Sequence, residues 1–160
     1  MDVFDSSVWL WGLLTDSPEP NRLIQEVLDG AREVAVSAYI HDEVTTTLRS
    51  APDITGQTEA GVSDAQMTFN NTVADLDNVI FPDQEEIGAT YADEVRSRPE
   101  MRLLGTVLGI QTKDAPVLVF AFDVNERSTL FVADSGFDPN LADHNITNVK
   151  IESVDVGQSN

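Results

Sequence analysis

The sequence contains no cysteine, and lysine occurs only as Lys113 and Lys150. The absence of cysteine excludes disulfide bonds and thiolate metal sites. No apolar run reaches the length of a membrane-spanning helix, and no basic stretch precedes the first apolar segment. We therefore expect a soluble protein that lies in the cytoplasm and has no membrane partner.

Positive charge is scarce throughout the chain. The sequence has 28 acidic residues against 9 basic ones, with a formal net charge of −19. Such a surface repels phosphate backbones, which argues against a nucleic-acid partner. A second interpretation is adaptation to the cytoplasm of a halophile, because at molar salt the Debye length is only about 3 Å and repulsion between exposed acids is screened. We favour salt adaptation, under which net charge does not exclude an RNA partner.

The arrangement of apolar segments indicates one α/β domain. The chain has 160 residues, of which 41% are hydrophobic, as in a typical globular domain. Strands are predicted near Asp2–Asp5, Glu33–Val36, Val79–Phe81, Thr129–Ala133 and Val149–Val154. Helices are predicted over Ser6–Leu14, Pro18–Leu28, Ser37–Leu48, Ser63–Leu76, Asp83–Arg96, Pro99–Leu108 and Lys113–Val124, with a loop over Ser50–Val62. This alternation predicts a three-layer domain over residues 1–154, with a mainly parallel five-stranded sheet flanked by helices, and a polar tail over 155–160.

Acidic residues follow two of the predicted strands. Asp5 and Asp134 each end an apolar strand, and each is followed by serine. Glu43 lies in the helix after the second strand, and Asp114 lies at the start of the helix that leads to the fourth. Ligands of open α/β sheets bind beyond the carboxyl ends of the strands, so these four acids can converge if strands one and four are neighbours. Carboxylates without histidine or cysteine suit Mg²⁺ or Mn²⁺, which would relieve their mutual repulsion.

A structural explanation competes for each of these acids. In a chain with 28 acids, an acid in a loop or at a helix start is unremarkable. Asp114 taken alone fits an acid that interacts with the helix dipole, and Glu43 taken alone fits a solvated side chain. Asp5 and Asp134 are harder to explain in this way, since both directly end buried strands.

Four segments of the chain resemble the signature segments of PIN domains, in the same order. They are "VFDSSVWL", "VSAYIHDEV", "KDAPVLVFAF" and "LFVADSGFD". The resemblance extends from Met1 to about Val154. Its acidic and hydroxyl positions are filled here by Asp5, Ser6, Glu43, Asp114 and Asp134, with Phe137 as the aromatic residue that follows the last aspartate.

The resemblance implies a Mg²⁺- or Mn²⁺-dependent ribonuclease, often the toxin of a VapBC-type toxin–antitoxin pair. Asp5, Asp114 and Asp134 would hold the metal, and Glu43 would be a further ligand or would help to place the attacking water. Ser6 would bond a metal-bound water or a phosphate oxygen. The expected partners are an RNA substrate, a small antitoxin protein and a second copy of the chain. A PIN scaffold that binds RNA or protein without cleaving RNA is the alternative, although such a scaffold would normally have lost one of the four acids.

Four of the basic residues occur close together in the sequence: Arg96, Arg98, Arg102 and Lys113. Arg49 can lie on the same rim. These residues are candidates to bind RNA phosphates. Ion pairing with surrounding acids is an equally good explanation in so acidic a chain.

Other assignments are weaker. A phosphatase of the haloacid-dehalogenase type needs a second acid two residues after Asp5, where Ser7 stands. A receiver domain needs paired acids after the first strand and a lysine after a late strand, whereas Lys113 begins a helix. The apolar run Val8–Leu14 is interpreted as core, with a groove for an antitoxin helix or a second copy as the alternative.

Salt adaptation predicts that the free energy of unfolding increases as KCl rises into the molar range, because screening weakens repulsion among the acids. RNA cleavage should persist over the same range, unlike in proteins that depend on many phosphate contacts. Thermal unfolding and cleavage rate measured together across a KCl series test this. Greatest stability and activity at low salt would contradict it.

Overall fold

The structure is a computed structural model that describes residues 1–55, 57–89, 91–134 and 136–157, with the backbone alone over 52–55. The strands are β1 Asp2–Phe4, β2 Val34–Ala35, β3 Val79–Ile80, β4 Ser128–Val132 and β5 Val149–Ser153. The helices are α1 Ser6–Leu14, α2 Pro18–Leu28, α3 Ala38–Thr55, α4 Glu59–Asp75, α5 Ala92–Arg96, α6 Pro99–Leu108 and α7 Ala115–Asp123. Single 3₁₀ turns lie at Gln84–Glu86, Thr112–Asp114 and Ala142–His144.

The five strands form one sheet in the order β3-β2-β1-β4-β5, and every pairing is parallel. Strand β1 is central and pairs with β4 in the register Phe4 with Phe131. Helices flank the sheet, so the predicted α/β architecture is confirmed. The residues that follow β1 and β4 consequently lie at the same edge of the sheet.

Aromatic side chains join the sheet to the helices around it. Phe4, Trp9 and Phe69 are fully buried. The Trp9 ring centroid lies 5.4 Å from that of Phe4 and 5.3 Å from that of Phe69, and Phe4 lies 5.5 Å from Phe131. These contacts connect β1, α1, α4 and β4, so the helix that starts directly after Asp5 is fixed to the core by its own tryptophan.

The predicted loop over Ser50–Val62 is wrong for most of its length. Helix α3 continues to Thr55, and Ala51 is only 2% exposed, so the core holds this extra turn in place. Helix α4 already begins at Glu59, because the hydroxyl of Thr58 accepts a hydrogen bond from the Gly61 N–H at 3.1 Å. Gly61 thus lies in a capped first turn, whereas Gly56 lies outside the described residues.

The predicted helix over Asp83–Arg96 is also wrong. The chain makes a 3₁₀ turn at Gln84–Glu86 and forms α5 only from Ala92. Gly88 between them has φ of +79°, a left-handed conformation that interrupts a right-handed helix. Asp83 itself caps a different helix, as described below.

One helix of the C-terminal half also differs from expectation in detail. The helix predicted from Lys113 begins as the 3₁₀ turn Thr112–Asp114, and α7 proper starts at Ala115 with Pro116 in its first turn. Residues 158–160 of the predicted tail lie outside the described residues.

Across the part of the chain that is described, no single helix is long and apolar enough to cross a bilayer. Helices Pro99–Leu108 and Thr112–Asp123 reach that length and composition only as a pair, and this pair is bent by 105°.

The start of α3 is fixed by two side chains. The Ser37 hydroxyl accepts a hydrogen bond from the Ile40 N–H at 3.1 Å, as expected for the predicted cap. Both carboxylate oxygens of Asp83 accept the Ala38 N–H at 3.0 Å, so the end of β3 holds the first turn of α3. The position of every later α3 residue, Glu43 included, depends on this anchor.

Replacing Asp83 by alanine should lower the free energy of unfolding by about 1–2 kcal/mol, because the first N–H of α3 loses its charged acceptor. Asp77→Ala is the matched control, since Asp77 is exposed near the other end of β3 and the same negative charge is removed. Asp83→Asn keeps an acceptor oxygen and should lose less stability. Equal losses for Asp83→Ala and Asp77→Ala in urea unfolding would contradict the anchoring role.

Candidate carboxylate site

Asp5 follows β1 directly and is held by the start of α1. Its N–H continues the sheet by donating to the Phe131 carbonyl at 3.0 Å. Its carboxylate accepts the Ser6 N–H at 2.7 Å and the Ser7 hydroxyl at 2.9 Å. Burial raises the pKa of Asp5 above its usual range, although these hydrogen bonds and the nearby Lys113 act in the opposite direction. Asp5 is therefore a desolvated carboxylate of fixed orientation.

Asp134 lies two residues beyond β4, the strand that pairs with β1. Its side chain is exposed, and its carboxylate accepts the Gly136 N–H at 2.8 Å in a tight turn. Ser135 lies outside the described residues. The two Asp-Ser strand ends are thus on neighbouring strands, at the same edge of the sheet.

Glu43 reaches this edge from the second turn of α3. Burial and the negative charge of Asp5 raise its pKa to about 7, against the opposing effects of Arg96 and of a hydrogen bond from the Ser6 hydroxyl. The Arg96 guanidinium forms an ion pair with the Glu43 carboxylate at 3.4 Å. Ser6 therefore contacts both Asp5 and Glu43, which joins the carboxylate from β1 to the one from α3.

Asp114 occupies the N-cap position of α7, yet its side chain makes no capping hydrogen bond. Burial and the negative charges of Asp5 and Asp134 raise its pKa to about 6, against the opposing charge of Lys113. A capping hydrogen bond would direct the Asp114 carboxylate back to its own helix. Instead, this carboxylate lies close enough to Asp5 and Asp134 for their charges to raise its pKa. The four predicted acids therefore lie near one another, and their catalytic role stays a prediction.

Tyr39 connects two of the elements that carry these acids, and sequence reasoning missed it. Its hydroxyl donates to the Lys113 carbonyl at 2.7 Å, next to Asp114, from a position one helical turn before Glu43. Burial raises the pKa of Tyr39, and the Arg96 guanidinium lies 5.8 Å from its ring centroid. The four-residue spacing of Tyr39 and Glu43, which puts both on one face of α3, could have indicated a role for Tyr39. Its partner Lys113 is 74 residues away, and the sequence gives no indication of that contact.

The donor set fits Mg²⁺ or Mn²⁺ in chemistry. It consists of carboxylate oxygens, and a cation would offset the burial and the mutual repulsion that raise the pKa values of Glu43 and Asp114. Among the described residues, no three acidic or histidine side chains are already grouped at the spacing of a metal cage. Mg²⁺ commonly keeps several waters and uses only one or two carboxylates, so it does not require such a cage.

The candidate RNA-binding residues differ in their surroundings. Arg96 is held by Glu43 at 3.4 Å and by Asp93 at 3.7 Å, so ion pairing accounts for its position. Arg98, Arg102 and Lys113 are exposed and make no ion pair with any side chain that the structure describes. Lys113 acts on the pKa values of Asp5 and Asp114, which places its charge near the acids. The RNA-binding role of all four stays a prediction.

Comparison with known proteins supports the fold. No family model matches the chain, and no curated protein matches it. Among solved structures, the chain is similar to one in the crystal structure of VapBC2 from Rickettsia felis bound to a DNA fragment from their promoter. The TM-score is 0.53 at 16% sequence identity, and the alignment covers 96% of this chain and 98% of that chain. A likeness at this identity shows the fold, which is the α/β architecture expected from the PIN resemblance.

Asp114→Asn should stabilise the protein above pH 6 and have little effect below pH 4. The native pKa of about 6 exceeds the ordinary 3.8, so the native state binds more protons than the unfolded state between these values. Stability is therefore lost as pH rises through this window, and the asparagine removes that loss. The shift corresponds to about 3 kcal/mol, which solvent screening of this half-buried side chain reduces to about 1–2 kcal/mol.

Urea unfolding of both proteins between pH 4 and pH 8, in metal-free buffer, measures this difference. Asp64→Asn is the control, because it removes one exposed acid from α4. A difference between wild type and Asp114→Asn that does not change with pH would contradict the assignment.

Proposed function

We propose that this protein is a Mg²⁺- or Mn²⁺-dependent endoribonuclease. The proposal rests on one observation: four acids from four elements lie at the edge of the sheet where β1 and β4 end, and three of them have raised pKa values. Asp5 acts on the pKa values of Glu43 and Asp114, and Asp134 acts on that of Asp114. Clustering of desolvated carboxylates is unfavourable in itself, so it indicates a site whose function needs the charges. The likeness to a VapBC2 structure and the PIN-like signature segments support the same assignment.

The residues have separate roles in this proposal. Asp5, Asp114 and Asp134, with Glu43, would hold the metal, which when bound would supply Lewis-acid stabilisation and an activated water for in-line attack on the phosphodiester. Glu43 would be one of these ligands or would help to place the attacking water; burial and the charge of Asp5 hold its pKa at about 7, near neutral pH. Ser6 orients Glu43 and Asp5 through its hydroxyl. Lys113 places positive charge near the phosphate.

The chain is further proposed to act as the toxin of a toxin–antitoxin pair. The similar structure is of VapBC2 bound to a fragment of promoter DNA, which supports a small antitoxin partner and a dimer for this chain. Helix α1 offers a surface for a partner helix. Val8 and Trp9 are buried, as expected for core, whereas Leu10, Trp11 and Leu14 stay partly exposed and line a cleft of about 350 Å³.

A non-catalytic PIN scaffold is the second candidate. The ion pair between Arg96 and Glu43 favours it, because an internal cation already neutralises one of the four acids. So does the absence, among the described residues, of a ready group of three metal-binding side chains. Metal-dependent cleavage distinguishes the two functions.

Asp5→Asn and Asp134→Asn should each reduce RNA cleavage by at least about 100-fold, because each removes a charged metal-binding oxygen. EDTA should abolish cleavage by the wild type, and Mg²⁺ or Mn²⁺ should restore it. Asp64→Asn is the matched control and should cleave normally.

A second readout does not depend on catalysis. Mn²⁺ should raise the unfolding temperature of the wild type and of Asp64→Asn, but much less that of Asp5→Asn. Metal stabilisation without any cleavage of diverse RNAs would favour the scaffold. Full cleavage by Asp5→Asn would refute the site assignment.

A further inference from the structure

A cleft of about 460 Å³ lies between α3 and α5, and of its lining residues the function described above uses only Glu43. Thr46 and Arg49 line it from α3, and Tyr91 and Arg96 line it from the α5 side. Its volume is within the range of small-molecule sites, and its polar lining distinguishes it from a packing defect in the core.

Two arginines face this cleft, which is unusual in a chain with 9 basic residues and 28 acids. Arg49 is exposed and has no carboxylate within ion-pair distance among the side chains that the structure describes. Arg96 is oriented by Glu43. Arg49 is available to contact a phosphate group. Arg96 pairs with Glu43 and Asp93 and donates its Nε–H to the Ala92 carbonyl at 3.2 Å, so only its remaining N–H groups can reach a ligand.

The acids that line the same cleft are partly engaged. Asp42 accepts the Ala92 N–H at 2.8 Å, so its charge is directed at the first turn of α5. Asp93 is 95% exposed and pairs with Arg96 at 3.7 Å. The cleft therefore carries three carboxylates beside two guanidiniums, and Arg49 is the lining cation that no described carboxylate pairs.

Tyr91 supplies an aromatic surface at the edge of the cleft. The residue is 54% exposed, although it occupies the N-cap position of α5, and its side chain makes no capping bond. An exposed aromatic ring next to arginines is the combination with which proteins bind single-stranded nucleic acids, by stacking one base and contacting the adjacent phosphate.

We propose that this cleft binds one nucleotide of single-stranded RNA, with the base stacked on Tyr91 and a phosphate contacted by Arg49 and Arg96. The inference rests on the proposed ribonuclease function and assigns the residues that would bind the nucleotide beside the cleaved phosphodiester. Because Glu43 lines the cleft, the bound nucleotide would flank the phosphodiester that is cleaved. A duplex would not fit this role, since its bases are stacked on one another and its edges are paired.

The test is fluorescence anisotropy with a 5′-labelled, 2′-O-methylated single-stranded RNA, in EDTA, so that binding is measured without cleavage. Tyr91→Leu should weaken binding roughly tenfold, whereas Tyr91→Phe, which keeps the ring, should bind like the wild type. Arg49→Gln should weaken binding and reduce the salt dependence by about one phosphate contact. Arg127→Gln is the matched control, because Arg127 directly precedes β4 at the opposite edge of the sheet.

The outcomes separate this site from the nuclease function. Tyr91-dependent binding by a protein that cleaves no RNA with Mg²⁺ or Mn²⁺ would reject the ribonuclease and retain the nucleotide site. Metal-dependent cleavage whose KM is unchanged in Tyr91→Leu and Arg49→Gln would reject the nucleotide site and retain the ribonuclease. Binding of a duplex as tightly as the single strand, or no binding of the single strand by the wild type, would also overturn the inference.

Discussion

The pairing of β1 with β4 is the constraint on which the rest of the structure depends. The two strands are far apart in sequence, yet the Asp5 N–H extends their hydrogen-bonded ladder by donating to the Phe131 carbonyl at 3.0 Å. Parallel pairing then brings both chain exits to one edge of the sheet. That geometry places Asp5 and Asp134 at this edge. Helix α1 begins there with Ser6, and Asp114 lies there at the N-cap position of α7. A different neighbour for β1 would disperse the acids.

Burial at this edge of the sheet disfavours the charged form of the carboxylates that lie there. The fold buries Asp5 and Glu43 far enough to raise their pKa values, and it compensates only partly with Ser6, Ser7, Lys113 and Arg96. A purely structural cluster would be expected to gain full neutralisation or to be replaced by apolar side chains, since buried charges contribute little net stability. Incomplete compensation is consistent with a site that receives additional positive charge from a ligand.

The sequence allowed the sheet and the four acids to be predicted, but not the contacts between them. A predicted strand such as Thr129–Ala133 is a short apolar run followed by a polar residue, and neighbouring residues in the sequence are enough to recognise this pattern. The capped start of α4 at Thr58 and the added turn of α3 at Ala51 were missed, because Pro and Gly favoured a loop and burial decided otherwise. The contact of Tyr39 with Lys113 joins residues far apart in sequence, and one sequence carries no signal for such a pair.

Helix α5 has only five residues, and isolated helices of that length do not form in water. Consecutive residues of α3 hold its two ends: Asp42 accepts the Ala92 N–H at the first turn, and Glu43 pairs with Arg96 in the last. The short helix therefore takes its order from its neighbours: these two carboxylates hold its ends, and Ala92 and Val95 are buried in the core. If Glu43 turns away from Arg96, the last turn of α5 loses its ion pair. Amide hydrogen exchange should then become faster in α5, although the change occurred at a carboxylate on α3.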